Sequence, residues 1–181
     1  MSVKDLSGTY VLDPTHSSIG FSARHAMVTK VRGAFNNVAG TAVVDGANPA
    51  ASTIEVTIQA DSFDTGQADR DGHVKSADFL DVANFPTLTF KATDIAITDD
   101  ETVRVTGDLT IKGVSHSVTI DLEYNGSAKD PFGNERVGFE GEADIKRSDW
   151  GLTWNAALET GGFLVSDKIE LKLDISAIKQ A

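Results

Sequence analysis

Apolar and polar residues alternate with period two along most of this 181-residue chain. In residues 53–60, isoleucine, valine and alanine occupy every second position, with threonine, glutamate and glutamine between them. Because successive side chains of a strand point to opposite faces of a sheet, this pattern predicts strands with one dry and one wet face. Such strands are typical of antiparallel sheets, since strands of parallel sheets are buried on both faces.

The predicted strands recur from end to end at hairpin spacing, without a linker or a second composition regime. We therefore predict an all-β fold with a single domain over residues 1–181. One antiparallel sheet rolled into a barrel of about eight strands fits the pattern best, because such a barrel has one dry and one wet face. A two-sheet sandwich is the structural alternative.

The alternation stops in residues 61–90. Residues 70–82 have helix character, and Asp69 or Asp71 could cap the start of that helix. A short helical turn is also expected near residues 155–160. A lone helix among strands must lie against the sheet or over one end of the barrel. A helix over an open end would create a pocket, so we expect the functional site there.

The composition argues against several function classes. A formal net charge of −11 opposes binding to nucleic acid and to anionic membrane surfaces, since both would repel the protein. Cysteine is absent, which excludes disulfides and sulfur-ligated metals. No run of roughly 18 apolar residues occurs, so no transmembrane segment is predicted. The first residues lack the apolar core of a signal peptide, which predicts a cytoplasmic protein, or a periplasmic or secreted one if the sequence is a mature form.

Large apolar residues at the inward positions could fill the barrel or could line a pore. Small residues on the same faces, such as Ala23, Ala92 and Gly107, reduce the side-chain volume inside the barrel and favour a pore. A dry pore would bind an elongated lipid, because each buried methylene contributes about 0.8 kcal/mol. The predicted pore residues are Phe21, Phe35, Val56, Ile58, Phe79, Leu88, Phe90, Leu109, Ile111, Ile120, Leu122, Phe139, Trp150, Trp154, Phe163 and Leu171.

The histidines show no spacing that is typical of a metal site or of a catalytic site. His16, His25, His73 and His116 show no HxH or HExxH spacing. His116 has a serine on either side, but neighbours along a strand point to opposite faces, and there is no GxSxG motif.

Basic residues near the predicted helix are candidates for binding a polar head group. If the helix and the end of the second strand share one rim, they would form a local basic spot on an acidic protein. Alternatively, Arg70 pairs with a neighbouring aspartate and has no such role. The head-group candidates are Arg24, His25, Arg70, His73 and Lys75.

Several ordered motifs between Tyr10 and Ile175 carry a resemblance to a known family. They are Asp13-x-x-His16-Ser17-x-Ile19-x-Phe21 with His25, Gly33-x-Phe35, Asp64-Thr65, Arg70-Asp71-x-His73-x-Lys75-Ser76-x-Asp78-Phe79, Phe85-Pro86-x-Leu88-x-Phe90, Gly107-x-Leu109-Thr110-Ile111-Lys112-Gly113 and Arg147-x-Asp149-x-Gly151. The chain thereby resembles the YceI family, lipocalin-like bacterial proteins associated with polyisoprenoid binding. The resemblance implies an extended, lipocalin-like antiparallel barrel whose apolar pore holds a long isoprenoid, polyprenyl or quinone-like, or a similar amphiphilic lipid. Secreted, periplasmic members are common in the family.

Three functional hypotheses remain open at this point. The leading one is a non-enzymatic protein, without a cofactor, that binds, stores or transports an isoprenoid-type lipid. The second is an enzyme acting on a lipid or ester in the same pocket through His73, His116 or a nearby acid. The third is a structural or stress-linked module with a filled barrel and a protein partner. A homodimer formed through strand edges, or through apolar rim residues such as Met27 and Val28, is a further expectation.

Overall fold

The computed structural model describes all residues from 1 to 181 and contains eleven strands and one α-helix. The helix α1 spans Ala68–Lys75, and short 3₁₀ helices span Val3–Asp5, Pro49–Ala51, Ala60–Ser62 and Arg147–Trp150. No helix is both long and apolar enough to span a bilayer. The strands are β1 (Ser7–Leu12), β2 (Ser18–His25), β3 (Thr29–Phe35), β4 (Val38–Asp45), β5 (Thr53–Gln59), β6 (Phe63–Asp64), β7 (Thr87–Ile97), β8 (Thr102–Ile111), β9 (Val114–Lys129), β10 (Glu135–Lys146) and β11 (Lys168–Lys179).

Eight of these strands close into an antiparallel barrel. Their order is β1-β4-β5-β7-β8-β9-β10-β11, and the pairing of β11 with β1 closes the circuit. Every strand of a closed circuit has two hydrogen-bonded neighbours, so no second sheet faces the first. The barrel predicted from the alternation is thus confirmed, and the sandwich alternative is wrong.

The strands β2, β3 and β6 lengthen the barrel wall at one end. The last residues of β11 pair with β1, whereas residues 170–174 of β11 pair with β2. Since β1 and β2 pair with successive parts of β11, β2 continues the line of β1. β3 pairs with β2, β6 pairs with β3, and α1 follows β6 in the chain. This extension places the helix and the β2–β3 hairpin at the same end of the barrel.

A bulge in β7 changes which residues face inward. The register against β8 shifts between Ala92 and Asp94, which leaves Thr93 as the extra residue. Because one extra residue inverts the facing of all later positions, Ile95 and Ile97 point inward after Leu88 and Phe90. The alternation continues on both sides of the bulge, but with opposite phase.

The helix is shorter than the predicted 70–82 and begins earlier. Its N-cap is Gln67, whose side chain accepts a hydrogen bond from the backbone N–H of Arg70. Asp69 and Asp71 are therefore not caps; the Asp71 carboxylate instead accepts hydrogen bonds from the backbone and hydroxyl of Thr65. The helix ends at Lys75; its C-cap Ser76 is extended, and successive turns follow it.

The helical turn expected near residues 155–160 is wrong. Ala157 forms a β-bridge with Phe163, and the chain reverses between them through Gly161 and Gly162, which both have positive φ. The side chain of Asn155 bonds the backbone of Val165 in both directions, which fixes the two limbs of this loop together. Two successive left-handed glycines turn the chain where a helix would have to continue.

The N-terminal segment closes the other end of the barrel. Val3 is 2% exposed and packs with Leu6, Tyr10, Tyr124 and Val137 in a small buried cluster. The backbone N–H of Val3 donates to the carbonyl of Asp100, which anchors the segment to the β7–β8 turn. The barrel therefore has one end plugged by its own N-terminus and one end under α1.

Candidate functional site

A cavity of about 770 Å³ lies inside the barrel. Of its 56 lining residues, 41 are hydrophobic, so the wall offers hydrogen bonds to few solvent molecules. Its volume falls within the roughly 300–1,000 Å³ of typical ligand pockets. The interior is therefore hollow, and the alternative of a barrel filled by side chains is wrong.

Inward-facing side chains in the middle of the strands give independent support for a hollow interior. Val56, Phe90, Leu122 and Leu173 pack against the main core cluster, yet each remains partly exposed. In a close-packed interior such residues would have no accessible surface. Since they face inward, the surface that they expose faces the cavity.

All but two of the predicted pore residues line this cavity. Their role in binding a ligand remains a prediction that follows from this placement. The lining residues from the predicted set are Phe21, Phe35, Val56, Ile58, Phe79, Leu88, Phe90, Leu109, Ile111, Ile120, Leu122, Phe139, Trp154 and Leu171.

Trp150 and Phe163 do not line the cavity, so their assignment to the pore was wrong. Trp150 is 2% exposed and is held in the core by a hydrogen bond of 2.8 Å from its Nε1 to the carbonyl of Leu109. Phe163 is 59% exposed and lies in the loop of residues 152–166. Both belong to the irregular segment between β10 and β11, where no alternation indicates which side chains face inward.

The cavity has a polar end under α1, which we call the mouth. Its residues come from the β2 end, the β6–α1 connection, α1 and residues 152–166, which we call the mouth loop. The structure thus brings together most of the predicted head-group candidates. Those that line the mouth are Arg24, His25, Arg70 and His73.

Lys75 does not line the cavity, and its assignment to the head-group site was wrong. Its Nζ lies 3.5 Å from the carboxylate of Asp61.

Arg70, by contrast, has no carboxylate within ion-pair distance. Its Nε donates to the hydroxyl of Thr65 at 2.7 Å, and its Nη2 donates to the carbonyl of the same residue at 3.1 Å. The alternative that Arg70 pairs with a neighbouring aspartate is therefore wrong, and its charge remains available at the mouth.

His73 connects α1 to the mouth loop. Its ring packs edge-on against Phe79 and Trp154, with centroids 5.2 and 4.5 Å away. Its Nε2 lies 2.9 Å from the carboxylate of Asp78, and no serine or threonine hydroxyl bonds to it. His116 lies outside the cavity, exposed against the ring of Trp150. The two histidines considered for catalysis are therefore at different places, and neither has a hydroxyl nucleophile.

Arg147 is a cavity residue that the sequence reasoning missed. It is 6% exposed, and no carboxylate lies within ion-pair distance of its guanidinium. Burial lowers its pKa from the usual value, but an arginine stays charged at neutral pH. The motif Arg147-x-Asp149-x-Gly151 marked the residue without indicating its role. The guanidinium holds the mouth loop by donating to the carbonyls of Leu152, Trp154, Val165 and Ser166.

Comparison with known proteins assigns the chain to a family. The model of the YceI-like domain matches residues 10–177. The chain belongs to the YceI family. A UPF0312 protein of Ectopseudomonas mendocina is 36% identical over 177 residues, covering 97% of this chain and 90% of that protein.

Solved structures show the same fold. BcnA of Burkholderia cenocepacia superposes with a TM-score of 0.79 at 26% identity, covering 91% of this chain and 98% of that one. A polyisoprenoid-binding domain from Saccharophagus degradans, implicated in plant cell wall breakdown, superposes with a TM-score of 0.73. It is 17% identical and covers 94% of this chain and 98% of its own, a likeness that shows the shared fold alone.

In this YceI-family chain the motif residues fall into three groups. One group, which includes Arg70, His73 and Arg147, lies at the mouth. A second group, which includes Phe21, Phe35 and Phe90, lines the apolar wall of the cavity. A third lies outside the cavity, where Asp13 accepts hydrogen bonds from Thr15 and Arg136. The motifs thus serve both the site and the closure of the barrel.

Proposed function

We propose that this protein binds, stores or transports a long-chain isoprenoid-type lipid, polyprenyl or quinone-like, without transforming it. The hollow apolar interior is the observation that carries the proposal. Water in such a cavity finds few hydrogen-bond partners, whereas a hydrocarbon tail gains about 0.8 kcal/mol for each methylene buried. Several isoprene units would offset the cost of immobilising the ligand.

The two ends of the cavity suggest how the ligand is oriented. The apolar side chains of Val3 and Leu6 lie at the closed end, so that end suits the end of a tail. The mouth carries Arg70 and Arg147, neither of which has a carboxylate within ion-pair distance, and also Asp69, so it suits a polar head. The net charge of −11 favours a neutral, quinone-like head, but Arg70 at the mouth could also hold an anionic one.

The family supports a binding role. YceI-family membership agrees with the polyisoprenoid binding of the Saccharophagus degradans domain, which shares the fold.

The geometry of the histidines also supports binding over catalysis. A serine-type hydrolase needs a hydroxyl within hydrogen-bond reach of its histidine, and neither His73 nor His116 has one.

Native mass spectrometry of the purified protein, followed by solvent extraction, tests the proposal. We expect a co-purified long-chain lipid, and we expect Ala42→Phe to reduce its amount severalfold, because Ala42 lines the cavity and the larger ring would occupy the bore. Ala39→Phe is the matched control, since Ala39 is exposed on the same strand. An interior that is consistently empty, or equal loss of lipid in both variants, would contradict the proposal. Turnover of the lipid that disappears in His73→Ala would favour the enzymatic alternative.

A further inference from the structure

An apolar patch lies beside the mouth and has no role in lining the cavity. Met27 and Val28, at the tip of the β2–β3 hairpin, are 66% and 75% exposed, and Phe163 on the mouth loop is 59% exposed. None of the three lines the cavity. Single exposed apolar side chains are normal on protein surfaces. A cluster of them beside a functional opening indicates an interaction surface.

The patch is one continuous surface, because the hairpin tip and the mouth loop are bonded together. The backbone N–H of Ala26 donates to the carbonyl of Leu164 at 2.7 Å, and His25 forms a β-bridge with Val165. Ala26 and Met27 both have positive φ, a conformation that usually requires glycine or asparagine. The strained tip is thus held in place with its apolar side chains toward solvent.

The charge of the hairpin differs from that of the whole protein. No aspartate or glutamate occurs between Asp13 and Asp45, although the chain carries a net charge of −11. On the hairpin, Arg24 lies opposite Lys30 and Ser22 lies opposite Arg32, so the three cations share one face. Lys30 bonds Glu170 at 2.9 Å, whereas Arg24 and Arg32 have no carboxylate partner. An apolar tip on a basic stem is the pattern of a segment that enters the interface of a phospholipid bilayer.

We propose that the hairpin tip and Phe163 dock the mouth onto a phospholipid bilayer, with the basic face of the hairpin against the lipid phosphates. The proposal rests on the lipid-binding function above: a long hydrocarbon ligand is insoluble in water, so it must pass between a bilayer and the cavity. A bilayer is favoured over a protein partner because the patch borders the opening through which such a ligand would move. The net negative charge of the protein disfavours contact with the lipid phosphates through its other surfaces.

Flotation with phosphatidylcholine vesicles that contain phosphatidylglycerol tests the docking. We expect Met27→Ser/Val28→Ser/Phe163→Ser to lower vesicle association about tenfold or more, because it removes the apolar anchor. The matched control is Phe132→Ser, since Phe132 is 88% exposed in the β9–β10 loop at the opposite end and should have no effect. Arg32→Gln should weaken association with these vesicles more than with pure phosphatidylcholine vesicles.

Uptake of a fluorescent polyprenyl lipid separates failure of docking from failure of the proposed function. The triple variant should take up the probe from detergent solution like the wild type, and should take it up from vesicles more slowly. Vesicle association unchanged in the triple variant, with probe binding intact, would overturn the docking alone. Absence of probe binding by the wild type from either source would overturn the proposed function. A dimer in sedimentation that the triple variant makes monomeric, with vesicle association unaltered, would assign the patch to a second copy of the chain.

Discussion

At the residue scale, Asp13 joins the end of β1 to β10. It is buried, and its carboxylate accepts hydrogen bonds from Thr15 and Arg136, while His16 Nδ1 lies 2.7 Å away. Arg136 also bonds Asp130 in the β9–β10 loop. These bonds, those from Thr15 first and then those from Arg136 and His16, hold the pKa of the Asp13 carboxyl well below its usual range. The sequence marked Asp13 and His16 as a motif, but their partner on β10 lies 123 positions away and followed only from the fold.

We expect Asp13→Asn to lower the free energy of unfolding at neutral pH by about 2 kcal/mol, because Arg136 loses a buried charged acceptor. A carboxyl whose pKa is lower when folded stabilises the protein fully above its unfolded pKa of about 4 and loses that contribution as the pH falls below it. Urea titrations between pH 7 and pH 2 should therefore show a shallower acid-side decline for the variant than for the wild type. Glu55→Gln, which removes an exposed pair with Lys91, serves as the control and should change little. A variant as stable as the wild type at pH 7 would show that the cluster is dispensable.

At the scale of elements, glycines have opposite roles in α1 and in β8. Gly72 lies inside the helix, and a Cβ added there would meet nothing within 4 Å. A Cβ on Gly107 would lie 2.5 Å from Cζ of Phe90 and 2.6 Å from the carbonyl oxygen of Lys91. The ring of Phe90 thus lies against the backbone of β8, and only glycine permits this. Sequence reasoning recognised both elements but could not distinguish the glycines, because their difference depends on a neighbouring strand.

The same substitution should therefore have opposite effects at the two positions. We expect Gly72→Ala to raise the free energy of unfolding by about 0.5–1 kcal/mol, since alanine restricts the unfolded chain and favours the helix. Gly107→Ala should lower it by about 1–3 kcal/mol, because the ring of Phe90 must move. Guanidinium titrations of the two variants measure both changes. Destabilisation by Gly72→Ala would mean that an interaction with the rest of the protein, and not helix propensity, decides which residue is favoured at position 72.

At the scale of the whole molecule, the hollow interior makes stability depend on the ligand. A ligand that binds only the folded state stabilises it by mass action, by about 4 kcal/mol at a thousandfold excess over Kd. The wall of the cavity is apolar, and an empty cavity leaves that surface in contact with water or without any contact. Occupancy of the barrel should thus be visible in its thermal unfolding.

We expect removal of the lipid by solvent or detergent exchange to lower the Tm of the protein, and addition of a polyprenyl lipid to restore it. Differential scanning calorimetry of the purified, stripped and reloaded protein measures the change. The Ala42→Phe variant should unfold at nearly the same temperature before and after stripping, since its bore holds less lipid. An identical Tm for stripped and reloaded wild type would argue against a ligand inside the barrel.

The alternation by itself indicated antiparallel strands with one dry face and placed the inward residues of the regular strands, because facing within a strand depends only on local geometry. It did not exclude a sandwich, and it did not show the bulge in β7 that inverts the facing of the later residues of that strand. Inward placement failed for Trp150 and Phe163, which lie in an irregular segment where no period exists. The length of α1 depended on its N-cap Gln67 and its C-cap Ser76, which the apolar stripe did not reveal. Only the tertiary structure decided that the interior is hollow and that Arg70 and Arg147 both line it. Whether side chains fill a barrel depends on distances across its axis, and those are set by residues that lie far apart in the chain.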